Sequence, residues 1–210
     1  MAFDEWVYRL RRGWSSEAIH FGHLPTLLVA AAAAAFALEG VRLFNVLSNP
    51  LSWSGGVLAG AVVGFLLHEQ AHAAVARRQG CLAGFVLTPT GLFVTLLSGV
   101  INSLLPVRFA IIAPGHVSIV CMGFGHRYGV RYDLIAAAGP AVNIALALAA
   151  AVASAALPPA YTLFAAGFRA INGWVALFNL LPLDPLDGSK ILRSNPLAWA
   201  VMFIAALLLV

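Results

Sequence analysis

His68 and His72 stand four residues apart in the run His68-Glu69-Gln70-Ala71-His72. On a helix that spacing places the two imidazoles one above the other on a single face, where they can grip one metal ion. Two neutral imidazoles suit Zn²⁺, and the glutamate beside the first can act as general base toward a metal-activated water. A five-residue pattern of this kind also arises by chance on solvated amphipathic helices. Here the preceding stretch, Val57 to Leu67, contains only Ala, Val, Leu, Phe and Gly. It offers no solvated face, and ionisable groups inside such a run mark function by default.

A hydrolytic zinc site takes a third protein ligand and leaves its fourth position open. The second chemistry-bearing stretch, Asn179-Leu180-Leu181-Pro182-Leu183-Asp184-Pro185-Leu186-Asp187-Gly188, supplies the carboxylate. Asp187 follows two prolines that open the helix and precedes a glycine expected to permit a tight turn. Asp184 lies on a different face, between Leu183 and Pro185, and is not expected to bind metal. His116 and His126 read as loop histidines rather than ligands.

These groups must be positioned by apolar elements. The 210 residues are 61% hydrophobic and only 10% charged, with a mean hydropathy of +0.92, whereas a soluble domain is about a quarter charged. The expected fold is an all-α polytopic membrane protein of about five transmembrane helices, with a short membrane-associated β-like region between the second and third. One domain spans 1–210, and its catalytic core covers about 55–195. Helix one runs from about Leu24 to Leu47, helix two ends at Arg77-Arg78, helix three runs from about Asp133 to Leu157, and helix four from about Tyr161 to Leu181. A last apolar stretch, Pro196 to Val210, is short against the ~20 residues a span requires. Gly56, Gly60 and Gly64 repeat at the interval of the histidines, so a neighbouring backbone can approach that face and the metal looks into the bundle.

Between Gly80 and Tyr132, prolines and glycines interrupt the chain too often for a good spanning helix. Phe85-Val86-Leu87, Leu92 to Leu97 and Phe109 to Ile112 read as short strands or re-entrant pieces. This region must not cross the membrane if the sites are to meet. With helix three as the one crossing between them, the ends of helices two and four reach the same side. Cys81 and Cys121 form no CxxC and no disulfide framework, and read as buried or reduced thiols. The first 23 residues are polar and basic, without the pattern of a secretory signal peptide.

The net charge of +4 is small and sits in loops, which speaks for topology rather than nucleic-acid binding. Arg9, Arg11, Arg12, Arg77, Arg78, Arg108, Arg127, Arg131, Lys190 and Arg193 fall on one side if the N-terminus is cytoplasmic. The expected location is thus the cell membrane, multi-pass, with the N-terminus and the active site toward the cytoplasm. Arg169 lies within helix four, and pairing with Glu39 of helix one is one way to accommodate its charge.

His68-Glu69-Gln70-Ala71-His72 in an apolar helix, Gly139-Pro140-Ala141-Val142-Asn143, and Asn179-Leu180-Leu181-Pro182 ending in Leu186-Asp187-Gly188 together resemble the site-2 protease family of intramembrane zinc metalloproteases. The resemblance covers roughly residues 55 to 195. It implies hydrolysis of transmembrane protein substrates within the lipid bilayer, regulatory proteins such as anti-sigma factors or tethered transcription factors among them. It assigns one Zn²⁺ per chain to His68, His72 and Asp187, the base to Glu69, and a substrate- or oxyanion-holding role to Asn179. Asn143 is a weaker candidate that can instead satisfy backbone groups freed by Pro140. No PDZ-like insertion is visible, a departure from the family's larger bacterial members. A peptide bond in a helix is shielded, so the substrate must unwind, and the strand-like Phe85 to Leu97 region can receive it by edge pairing. Two other classes compete, a catalytically silent membrane scaffold and an ion-coupled transporter. The intact Glu69 weighs against the first and the lack of an inverted repeat against the second.

Overall fold

Glycine sets the packing at the centre of the molecule. In the computed structural model, which describes residues 23–105, 110–121 and 129–210, the long helix α2 (Trp53–Arg78) carries Gly56, Gly60 and Gly64 along one face. They meet residues at the same interval on α5 (Thr162–Asn179). A methyl group at Gly56 would overlap the Phe164 carbonyl, one at Gly60 would press on Phe168 and Ile171, and one at Gly64 would strike the Asn172 amide. Gly167 of α5 returns the favour against the Trp53 carbonyl. The small-residue row therefore brings two backbones together, as membrane helix pairs require. Helix α4 (Tyr132–Ser154) packs on both α2 and α5, completing a three-helix heart.

Around it lie α1 (His23–Glu39), which continues as a 3-10 segment over Gly40–Leu47, and α3 (Pro89–Leu104), packed on α1. Two strands, β1 (Cys81–Leu87) and β2 (Gly115–Cys121), pair antiparallel. The short helix α6 (Asp187–Ser194) and α7 (Pro196–Leu209) follow α5. Val63, Leu67, Leu148, Val152, Ile204 and Leu208 are exposed, as lipid-facing side chains of a membrane protein are. Three stretches are long and apolar enough to cross a bilayer: Leu24–Leu47, Trp53–Arg78 and Tyr132–Ser154. Three of the expected five spans meet this measure, which is one of length and composition. The 18 residues of α5 include Arg169, Asn172 and Asn179, and α7, with 14 residues, reaches only ~21 Å at the helical rise.

The broken region holds the expected strand Phe85-Val86-Leu87 within β1 and differs from a strand reading further on. Leu92 to Leu97 lies inside α3, not in a strand. Pro89 occupies the first turn, where its missing N–H costs nothing. The glycines that looked like breaks are contact positions, Gly99 against Phe36 and Gly91 against the Ala113 carbonyl. From α3, the hydroxyls of Thr95 and Ser98 accept the amides of Ala113 and Ile111, both at 3.1 Å, and anchor the extended chain that leads into β2. The register sets Cys81 opposite Cys121, and the two form a disulfide. Free thiols were expected because 40 residues separate them, and only the strand pairing reveals their proximity. Both ends of the β1–α3–β2 excursion thus lie together, as the parity of the two motifs demands.

Glu39 is buried at 2% exposure and accepts hydrogen bonds from Trp53 Nε1 and Ser54 Oγ, each at 2.9 Å. It forms no ion pair with Arg169, whose Nε is buried without a hydrogen-bond partner. Trp53 and Ser54, one helix start away, reach the carboxylate first. Arg9, Arg11, Arg12, Arg108, Phe109, Arg127 and His126 lie outside the described residues.

The glycine mesh makes a sharp prediction. Gly56→Ala should destabilise the protein by about 1–3 kcal/mol, since its neighbour is backbone that cannot rotate away. Gly84→Ala in β1 meets nothing within 4 Å, and should stay within ~0.5 kcal/mol of the parent. Thermal unfolding in a fixed detergent compares the two; equal stability of both variants would discount the mesh.

Candidate metal centre

Helix α2 delivers His68 and His72 near its C-terminal end, and the start of α6 delivers Asp187 to the same point. His72 Nε2 lies 3.1 Å from Asp187 Oδ2 and 3.0 Å from His68 Nε2, and His68 Nε2 lies 3.8 Å from the same carboxylate oxygen. Among the described residues this is the one group of three such donors, all within 4.8 Å of one another. Four ligands about 2.0–2.1 Å from a tetrahedral Zn²⁺ stand about 3.3 Å apart, so the spacing fits that ion. His68, Glu69 and His72 are all nearly buried, at 3%, 7% and 6% exposure.

Each imidazole is turned by a bond at its other nitrogen. His72 Nδ1 donates to the Ile135 carbonyl at 2.7 Å, and His68 Nδ1 bonds Asn143 Oδ1, both partners on α4. Such partners fix the tautomer and leave Nε2 free as a ligand. Space is kept open by Gly139 of the same helix. A side chain there would press on the Nε2 atoms of both histidines. Asn143 thus binds His68, a candidate ligand, beyond the alternative of quieting backbone freed by Pro140.

Gly188 does not act as a turn residue, since the positive-φ glycines are Gly40, Gly80 and Gly129. Its value is close approach: a side chain would overlap the carbonyls of Leu180 and Leu181. That contact seats the start of α6 under the end of α5, with Asp187 at the first helical position. Lys190 Nζ stands 3.4 Å from the other carboxylate oxygen, Oδ1. Asp184 is 61% exposed and paired with Arg193. The Ser189 hydroxyl and then the Arg193 guanidinium hold its carboxyl below the usual range, and it stays outside the donor group.

The donors open on a cavity of about 440 Å³, which Glu69 and Asn179 also line. Asn179 Nδ2 gives one hydrogen to the Val175 carbonyl at 2.9 Å, leaving its second hydrogen available. The opposite wall is the extended chain from Ile112 through Val117, with Ile119. His116 is therefore a wall residue and no part of the donor group. Burial, then the charge of Lys190, pushes its imidazole below the ordinary value. Of the Phe85 to Leu97 stretch, Thr88 reaches the cavity. β2, which has no counterpart in the sequence analysis, supplies Gly115, His116, Val117 and Ile119.

An HExxH helix inside an apolar bundle, met by a carboxylate from a second motif, is the arrangement of a membrane metallohydrolase. A protein of Methanocaldococcus jannaschii, named as a candidate zinc metalloprotease, is 34% identical to this chain over 141 residues, covering 66% of the chain and 70% of the relative. The chain belongs to the site-2 protease family of zinc metalloproteases. No family model matches it, and no solved structure does.

Asp187→Asn should weaken zinc binding by ~10-fold or more, at least what loss of a supporting partner costs. Asp184→Asn and His116→Ala should leave metal content near the parent's. Metal analysis after dialysis against a graded chelator reads this; retention by Asp187→Asn with loss in His116→Ala would overturn the ligand set.

Proposed function

We propose that this chain hydrolyses peptide bonds in or beside transmembrane segments of other membrane proteins, using one zinc ion per chain held by His68, His72 and Asp187. The observation that carries the proposal is the convergence of these donors with Glu69 on one cavity inside an apolar helical bundle. When bound, the ion supplies Lewis acidity toward a carbonyl oxygen and acidifies water. Glu69 is the general base: it takes the proton of the attacking water and can return it to the leaving amine. Asn179 lines the cavity, and its second amide hydrogen can donate to a developing oxyanion there.

A substrate helix must be extended before its carbonyl is reachable. The two-stranded sheet leaves β2 with an unpaired edge among the described residues, and its residues line the cavity beside the donors. An unwound segment pairing there gains main-chain hydrogen bonds that replace those of its helix. The apolar wall of Phe65, Ile112, Pro114 and Val117 suits the side chains of a membrane-spanning substrate. Such substrates include membrane-tethered regulators, and nucleic acid is no part of the reading.

Placement in the cell membrane, with the N-terminus and the metal end toward the cytoplasm, rests on charge. Arg77, Arg78, Lys190 and Arg193 all sit on elements at that end, as the positive-inside rule asks. The Cys81–Cys121 bridge lies at the same end. Intracellular disulfides are common in hyperthermophiles and rare elsewhere.

Glu69→Gln tests the chemistry. The amide cannot accept a proton at neutral pH, so the variant should keep its zinc while cleavage of a model transmembrane peptide falls at least ~100-fold, the lower end of a general base's contribution. Cleavage near the parent's rate with zinc bound would remove Glu69 from the mechanism.

A further inference from the structure

Behind the metal ligands runs a buried chain of amides that ends on two backbone carbonyls. Asn172 of α5 is 1% exposed and Asn143 fully buried. Asn172 Nδ2 donates to the Phe168 carbonyl at 2.9 Å and to the Gly60 carbonyl at 3.3 Å. Asn143 Nδ2 donates to Asn172 Oδ1 at 2.8 Å, and Asn143 Oδ1 faces His68 Nδ1.

A side-chain amide has a donor end and an acceptor end, and either can point either way until its neighbours decide. A carbonyl only accepts. Two carbonyls on one side of Asn172 therefore fix that side as its NH₂ and turn its oxygen toward Asn143. The oxygen in turn demands a donor, so Asn143 presents its NH₂ there and its own oxygen to His68. That oxygen accepts only from a protonated Nδ1. The imidazole is then left with its lone pair on Nε2, the nitrogen beside Asp187 and His72. Reversing any amide in this dry interior sets donor against donor or acceptor against acceptor, at a cost of about 1–3 kcal/mol per unmet group.

We infer that Asn172 is a positioning residue for the metal centre: anchored on the Gly60 and Phe168 carbonyls, it orients Asn143 and through it holds His68 in the Nδ1-protonated form that offers Nε2 to zinc. The inference rests on the proposed zinc reading. Gly64 supports it independently. Its lack of a side chain gives the two amides their room, because a methyl group there would strike Asn172 Oδ1 and stand 2.9 Å from Asn143 Nδ2.

The test is a double-mutant cycle on zinc affinity, read by chelator competition on the full chain in detergent. Asn172→Leu, close in shape but without polar atoms, should weaken affinity by ~10-fold, the lower end of what supporting partners of a metal ligand contribute. In an Asn143→Ala background the same substitution should cost no more than ~2-fold, because the link to His68 is already cut. Gly64→Ala, which keeps every polar group, should also weaken zinc and so covers the case in which Asn172→Leu fails to fold. Nitrogen NMR of histidine in the zinc-free protein should find His68 protonated at Nδ1 in the parent and divided between tautomers in Asn172→Leu. Equal losses from Asn172→Leu with and without Asn143, or an unchanged tautomer and affinity, would overturn the inference. A parent that binds no zinc would instead sink the zinc reading on which it stands.

Discussion

One constraint governs this molecule: a carboxylate and two imidazoles, 115 and more residues apart in the chain, must meet at one depth inside an apolar bundle. Ionisable groups in such surroundings are costly unless they are paired or bind a metal. Each large feature of the fold serves that meeting. The glycines of α2 let α5 approach closely, α5 ends beside the histidines, and Gly188 tucks the start of α6 under that end. Helix α4 closes the third side and brings the Ile135 carbonyl, Gly139 and the Asn143 amide against the two imidazoles.

The polarity of the interior extends the same logic outward. Burial strengthens a satisfied hydrogen-bond chain and penalises a broken one. The amides between His68 and the Gly60 carbonyl are all paired, and the carbonyl at the far end belongs to the very helix that carries His68. The glycine row thus does two things. It packs α2 on α5 and gives the amide chain its passage between them.

Much of this was legible in the sequence because it is local. Helix periodicity puts His68 over His72, four-residue spacing puts Gly56, Gly60 and Gly64 on one face, and Asp187 is the carboxylate that precedes Gly188. Parity alone required the stretch between α2 and α4 to return to its starting side, and Cys81 and Cys121 end up paired. What was hidden depends on pairings between distant segments. The disulfide and β2 exist through a register that spacing cannot reveal. Gly91 and Gly99 resemble helix breaks in the sequence and act as contacts once Ala113 and Phe36 arrive. Asn172 left a faint signal, an amide in the middle of an apolar helix, but its partners lie 29 and 112 residues away. The proposed Glu39–Arg169 pair failed for a similar reason, since Trp53 and Ser54 claim the carboxylate.

The central claim is the identity of the metal's ligands, and X-ray absorption at the zinc edge of the zinc-loaded protein tests it most directly. The predicted spectrum has two imidazoles at about 2.0–2.1 Å, with the remaining scatterers oxygen at about 2.0–2.2 Å and no sulfur. A third imidazole, or a scatterer at the ~2.3 Å of a thiolate, would contradict the assignment of His68, His72 and Asp187.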